Sequence, residues 1–110
     1  EAISDFARAI TLEPNAPEPF NGRGISQLVL GNEIDAIDDF NRAISLDESN
    51  HESWTNLALV YEQKEDFDKA RRGYMKALAL QPKYKPAEDG LTRTRKKIAE
   101  LETAEEKEAS

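Results

Sequence analysis

Residues 70–82 read ARRGYMKALALQP, and two other stretches follow the same pattern, AISDFARAITLEP at 2–14 and AIDDFNRAISLDE at 36–48. The copies start at residues 2, 36 and 70, so the period is 34 residues. Each copy carries alanine, an aromatic residue, alanine and leucine at the same places; in the last copy these are Ala70, Tyr74, Ala77 and Leu80. A fixed period shared by many positions predicts a repeat protein.

The repeated residues have the spacing of one helix face. In the last copy, Ala70, Tyr74, Ala77 and Leu78 stand at i, i+4, i+7 and i+8. Alanines on both sides of an aromatic ring leave a notch, so a neighbouring helix can approach closely while the ring fills the gap. The pattern therefore predicts closely packed helices.

A second helix is predicted before each of the last two copies. The stretch PEPFNGRGISQLVLGN at 17–32 aligns with HESWTNLALVYEQKED at 51–66. Turn residues separate the predicted helices, with Asn15 and Asn50 as N-caps and Gly31 at a helix end. Each 34-residue unit therefore contains two helices.

The spacing and residue set resembles the tetratricopeptide repeat. The last copy carries the family signature in full, at Trp54, Leu57, Ala58, Tyr61, Ala70, Tyr74, Ala77 and Pro82. The middle copy departs from it at Arg23, Gln27 and Glu48. The resemblance implies an all-α, right-handed superhelical solenoid of antiparallel helix pairs with a C-terminal capping helix.

In that register the chain has four parts: the second half of a truncated repeat (1–16), two complete repeats (17–50 and 51–84), and a capping helix with a frayed acidic tail (85–110). We expect further repeats upstream. The first helix should then present Ile3, Phe6 and Ile10 where a preceding helix packs. This N-terminal edge is a candidate site for self-association.

The predicted capping helix carries one narrow apolar stripe, formed by Ala87, Leu91, Thr94, Ile98 and Leu101. It predicts a helix that shields the last repeat and turns a charged face to solvent. The basic run RTRKK at 93–97 is attributed to that charged face, since glutamates follow closely. The weaker alternative is an anion or nucleic-acid patch.

Composition and motifs argue against several function classes. The net charge of −7, with 22 acidic and 15 basic residues, argues against a nucleic-acid surface. No apolar run is long enough to span a membrane, and the absence of cysteine excludes disulfides and thiolate chemistry. The single histidine, His51, stands at a repeat junction, and NGRG at 21–24 lacks the third glycine and the strand of a dinucleotide site. We predict no catalytic, metal or cofactor site, and we assign no cellular compartment.

The resemblance implies a concave groove that binds a peptide or partner protein, lined by the first helix of each repeat. The family's groove positions, together with Asn56, fall on Glu18, Asn21, Ile25, Leu28, Val29, Glu52, Thr55, Asn56, Leu59, Glu62 and Gln63. The capping helix would add Asp89, Arg93, Lys96 and Lys97. The alternative is that the aliphatic residues of the first set pack against adjacent helices.

One subgroup of the family holds a C-terminal carboxylate in a clamp of lysine, asparagine and arginine. Only Asn56 matches that clamp; Ile25, Pro86 and Gly90 stand at its other positions. A tail-binding function of that type is therefore not predicted. Two functions remain, a peptide- or protein-binding module and a structural or self-associating solenoid segment.

Comparison of the two complete copies also singles out an ion pair. Arg23 precedes Asp39 by sixteen residues, whereas Leu57 precedes Gly73 by the same spacing. We predict that Arg23 lies between helices and pairs with Asp39 or with Asp5.

Overall fold

The computed structural model describes residues 2–109, so Glu1 and Ser110, the outermost residues of the first and last predicted segments, lie outside the described residues. Over this range it contains six α-helices: α1 (Ala2–Leu12), α2 (Pro17–Val29), α3 (Glu33–Leu46), α4 (His51–Gln63), α5 (Phe67–Leu80) and α6 (Lys85–Ala109). Each helix packs against the next, and α4 also contacts both α2 and α6. The all-α solenoid is confirmed, with α2, α4 and α6 forming one layer.

The notch predicted from alanine and aromatic residues is the centre of the core. Ala36, Ala43, Ala70 and Ala77 are fully buried, together with the rings of Phe40 and Tyr74. Burial of a large side chain contributes about 1.5–3 kcal/mol, so the two rings are major contributors to stability. The buried residues form two clusters, one around Phe40 and one around Tyr74.

The ends of the helices follow local sequence with one exception. Asn50 caps α4, since its side chain accepts hydrogen bonds from two backbone N–H groups of the first turn. Gly31 ends α2 in the left-handed region, with φ of 84°. The prediction that Asn15 caps α2 is wrong. Ala16 occupies that position without a side-chain hydrogen bond, and Pro17 after it has no N–H to satisfy.

Arg23 makes the ion pair predicted between helices. Its Nε donates to Asp39 Oδ2 at 3.0 Å and its Nη2 donates to Asp39 Oδ1 at 2.7 Å. The Asp39 side chain is 7% exposed and that of Arg23 27%. The hydrogen bond with Asp39 is the main reason that the pKa of Arg23 is raised. The pair therefore joins α2 to α3 across a largely buried contact.

Helix α6 follows the predicted stripe over its first half. Ala87, Leu91 and Thr94 are buried, Ile98 is half-buried and Leu101 is 52% exposed. Because α6 has 25 residues and α5 only 14, the second half of α6 extends beyond its neighbour. The acidic end is helical to Ala109, in keeping with its strong helix formers. Fraying of that end stays a prediction.

The N-terminal edge is smaller than predicted because Phe6 faces α2. A Cβ atom built at Gly22 would overlap the Phe6 ring, so the ring packs where that glycine leaves space. Ile3 and Ile10 are half-buried, and Leu12 is 75% exposed. Phe6 therefore belongs to the contact between α1 and α2 rather than to a face open to a preceding helix.

Candidate protein-binding groove

The residues predicted to line a groove lie on α2 and α4, in the layer that these helices form with α6. On α2, Ile25 is 47% exposed and Val29 is 82% exposed, and Glu18 is also exposed. Leu28 differs, since it packs against the cluster around Phe40. The packing alternative therefore holds for Leu28, whereas Ile25 and Val29 are available to a ligand.

Asn21 joins α2 to α4. Its Nδ2 donates a hydrogen bond to Ser53 Oγ at 2.8 Å, and Ser53 is fully buried. Asn21 Oδ1 is buried without a hydrogen-bond partner among the described residues, so Asn21 links α2 to α4 through its Nδ2 alone.

On α4, the predicted residues divide between the surface and a cleft. Glu52 and Gln63 are exposed. Thr55 is buried, and its hydroxyl donates to the His51 carbonyl within the helix. A cleft of about 340 Å³ opens between α4 and α6, lined by Thr55, Asn56, Leu59, Tyr74, Tyr84, Pro86, Asp89 and Arg93. Three of the predicted α4 residues therefore meet at one cavity.

Glu62 lies in a charged network beside the cleft. Arg93 donates from Nε to Glu62 Oε2 at 2.8 Å and from Nη2 to Oε1 at 3.0 Å, and the Tyr74 hydroxyl donates to Oε1 at 2.6 Å. Burial raises the pKa of Glu62, but hydrogen bonds from Arg93 and Tyr74 outweigh it, so the pKa is lowered overall. Burial, followed by the bond to Glu62, raises the pKa of Tyr74. The network fixes α6 against α4 and α5.

Sequence reasoning did not find this network, although one signal was present. The aromatic residue of the repeated pattern is phenylalanine in the first two copies, Phe6 and Phe40, and tyrosine only at Tyr74. A buried tyrosine usually finds a hydrogen-bond partner, so its hydroxyl indicated a polar neighbour in the last copy alone.

The positions of the carboxylate clamp carry no cation. Gly90 is buried, and a Cβ atom built there would overlap the Tyr74 ring, so a longer side chain does not fit. Pro86 lines the cleft and Ile25 is an exposed aliphatic residue. Arg93 is the cation at the cleft, and it is already bonded to Glu62.

The described part of the chain has neither a metal-binding cluster nor a membrane-spanning helix. Between residues 2 and 109, no group of three or more His, Cys, Asp or Glu side chains is arranged to hold a metal ion. None of the helices in this range combines the length and apolar character needed to span a membrane.

Comparison with known proteins identifies the repeat. A family model described as the tetratricopeptide repeat matches residues 51–84. The human protein O-mannosyl-transferase TMTC3 is 32% identical over 79% of this chain, which covers 10% of that protein. The DnaJ homolog subfamily C member 3 homolog of Dictyostelium discoideum is 30% identical over 87% of the chain and 20% of its own length. The chain thus spans a fifth or less of each of these two relatives.

Solved structures share the fold. The tetratricopeptide domain of Sgt2 from Aspergillus fumigatus superposes with a TM-score of 0.87 at 22% identity, over 92% of this chain and 68% of that one. The first such domain of Spaghetti (RPAP3), bound to the HSP90 peptide SRMEEVD, superposes with a TM-score of 0.84 at 20% identity. The match covers 88% of this chain and 77% of that one. The second tetratricopeptide domain of human RPAP3, in complex with the HSP70 peptide SGPTIEEVD, superposes with a TM-score of 0.79 at 20% identity. The match covers 84% of this chain and 78% of that one.

Proposed function

Because this chain is a tetratricopeptide repeat protein, we propose that it binds an extended segment of a partner protein in the groove formed by α2, α4 and α6. The observation that carries this proposal is the cleft of about 340 Å³ between α4 and α6. It combines an apolar floor at Leu59 with polar side chains at Asn56 and Asp89, the mixture expected where a ligand is oriented as well as buried. The proposed role is binding, not catalysis.

The exposed side chains of the groove define the class of ligand. Ile25 and Val29 offer aliphatic surface on α2, and Glu18 and Glu52 add negative charge at the first turns of α2 and α4. A segment with aliphatic residues and at least one basic residue matches this arrangement.

Acidic tail peptides are bound by two of the structural neighbours, but the groove of this chain is less suited to them. Arg93 is bonded to Glu62 through both Nε and Nη2, so an incoming carboxylate would have to displace an internal one. Pro86 and Gly90 supply no positive charge. We therefore propose that the preferred ligand is not a carboxylate-terminated acidic tail.

The proposal can be tested by selecting peptides from a random phage-displayed library on the immobilised chain. Selected peptides are expected to be aliphatic and basic, whereas the labelled peptide SRMEEVD should not bind. The double variant Ile25→Asp with Leu59→Asp should raise the Kd of a selected peptide at least about tenfold, measured by fluorescence anisotropy.

A matched control places two aspartates outside the groove. Leu12 and Ile34 are 75% and 72% exposed aliphatic residues, so Leu12→Asp with Ile34→Asp should leave the Kd unchanged. Circular dichroism of both double variants checks that the helices remain. Equal weakening by the two variants, or tight binding of SRMEEVD, would contradict the proposal.

The second candidate is a solenoid segment that associates with copies of itself. Leu12, Ile3 and Ile10 supply apolar surface on α1, which supports an N-terminal contact. Because this contact involves no groove residue, the Ile25 and Leu59 variants would leave it intact.

A further inference from the structure

Two neighbouring clefts of opposite charge lie along α6 between Arg95 and Glu105. Residues 99–109, which form the end of α6, are all exposed. Both clefts lie between α6 and either α5 or the turn before it, and both are lined by Ile98 and Glu102. Neither cleft belongs to the groove between α2, α4 and α6.

The first cleft is basic. It measures about 530 Å³, has an apolar floor that includes Met75 and Ile98, and is rimmed by Arg71, Arg72 and Arg95. Arg71 donates to Asp68 at 2.9 Å. Within residues 2–109, Arg72 and Arg95 have no ion-pair partner. Two guanidinium groups therefore stand over apolar surface in a chain whose net charge is −7.

The second cleft is acidic. It measures about 360 Å³ and has an apolar floor of Phe67, Ile98 and Leu101. Its rim carries five carboxylates, from Glu65, Asp66, Asp68, Glu102 and Glu105. They do not form a metal site in the part of the chain that is described. Glu102 and Glu105 have no ion-pair partner over the same range.

The geometry points to a second copy of this chain as the occupant of both clefts. A surface that carries complementary patches side by side can pair with itself about a two-fold axis. With two α6 helices antiparallel and crossing near residue 100, Arg95 of each copy would lie opposite Glu105 of the other. The half-buried side chain of Ile98 and the exposed side chain of Leu101 would be covered in the same contact.

Charge complementarity favours this occupant over an unrelated helix. A purely acidic or purely basic partner would satisfy one cleft and be repelled by the other, whereas a second copy satisfies both. The net charge of −7 opposes association at long range, but opposite charges in contact act within the Debye length of about 10 Å at 0.1 M salt. The contact is therefore expected to be of modest affinity.

A charge-swap experiment tests the interface without reference to the groove. The first variant is Arg72→Glu with Arg95→Glu, and the second is Glu102→Arg with Glu105→Arg. Molar mass is measured by light scattering and analytical ultracentrifugation over micromolar to millimolar concentrations. Wild type should form dimers, and each variant alone should dissociate on the order of 100-fold more readily, because like charges then face each other.

Mixing the two variants should restore the dimer, since both contacts are attractive in the mixed pair. Unchanged circular dichroism of each variant checks folding, because all four positions are exposed. A wild type that is monomeric throughout, or a mixture that fails to associate, would overturn the proposal. Dimers that persist in both separate variants would also overturn it and indicate the N-terminal edge instead. None of these outcomes depends on peptide binding.

Discussion

Helix pairs α2–α3 and α4–α5 fill equivalent places between their helices with different chemistry. In α2–α3, Arg23 and Asp39 form a two-point ion pair with N–O distances of 3.0 and 2.7 Å. In α4–α5, the same two positions are Leu57, which is 8% exposed, and Gly73. A repeat fold therefore accepts either a satisfied charge pair or an apolar residue beside a glycine at this place.

The two pairs also differ in which helix carries a glycine where the helices lie close together. A Cβ atom built at Gly73 would lie 2.8 Å from Ala58 Cβ and 3.3 Å from its Cα. In α2–α3 the position of Ala58 is Gly24, and the position of Gly73 is Asp39. At these two positions each pair thus has one glycine, on opposite helices. A Cβ atom built at Gly24 would overlap the Phe40 ring, so in both pairs a glycine leaves room for a side chain of the facing helix.

The largest expected effect comes from removing one half of the ion pair. Arg23→Leu gives α2 the leucine that α4 has at the equivalent position, Leu57. The change leaves the buried Asp39 carboxylate without its partner. We expect a loss of about 3 kcal/mol in the free energy of unfolding, measured by urea denaturation. Arg42→Leu is the matched control. Both arginines lie over the Phe20 ring, 5.7 Å and 5.9 Å from its centroid, but Arg42 has no ion pair among the described residues.

The double variant Arg23→Leu with Asp39→Gly then gives α2–α3 the equivalents of Leu57 and Gly73, while Gly24 stays where α4 has Ala58. It should lie within about 1 kcal/mol of wild type, because an apolar replacement of a buried ion pair is often neutral. A double variant as unstable as the single one would show that the two pairs are not interchangeable.

A smaller effect is expected from adding one methyl group between α4 and α5. Alanine is normally the better helix residue by about 1 kcal/mol, but Gly73→Ala should still destabilise the chain by about 1–2 kcal/mol through overlap with Ala58. Thermal and urea unfolding measure the change. The double variant Gly73→Ala with Ala58→Gly moves the glycine from α5 to α4. It should recover about half or more of the lost free energy of unfolding. Stabilisation by Gly73→Ala alone would show that these helices separate freely.

The smallest expected effect is at the turn within each pair. Gly31 and Glu65 are equivalent residues with φ of 84° and 63°, and only the first is a glycine. Glu65→Gly should raise the free energy of unfolding by about 0.5 kcal/mol, since the left-handed region is unfavourable for a residue with a Cβ atom. The adjacent Lys64 has φ of −79°, so Lys64→Gly should lower stability by a similar amount. Changes of the same sign in the free energy of unfolding for Glu65→Gly and Lys64→Gly would contradict this explanation.

The helical repeat was readable from sequence because its determinants are local or periodic. Alanine and aromatic spacing predicted the packed faces, and the replacement of Leu57 and Gly73 by Arg23 and Asp39 predicted an ion pair. The Asn15 cap was wrong because α2 begins at Pro17, which puts Ala16 rather than Asn15 at the capping position. The Phe6 contact was missed because it depends on Gly22, which is outside the repeated pattern.

The groove was less predictable because it depends on how far α6 lies from α4. Ile25 and Leu28 are both aliphatic and three residues apart, yet one is exposed and the other packs in the core. Glu62 was assigned to the groove, and Arg93 holds it across 31 residues of sequence. Pairings between distant helices have no periodic signal in a single sequence.

Trp54 gives the molecule an internal optical reporter. It is the single tryptophan of the chain, and it packs against both the cluster around Phe40 and the cluster around Tyr74, with its indole N–H donating to the Glu48 carbonyl at 2.9 Å. Separation of either cluster would change the polarity around the indole. The fluorescence of one residue therefore follows both helix pairs, and a single unfolding transition in that signal would mean that the two pairs melt as one cooperative unit.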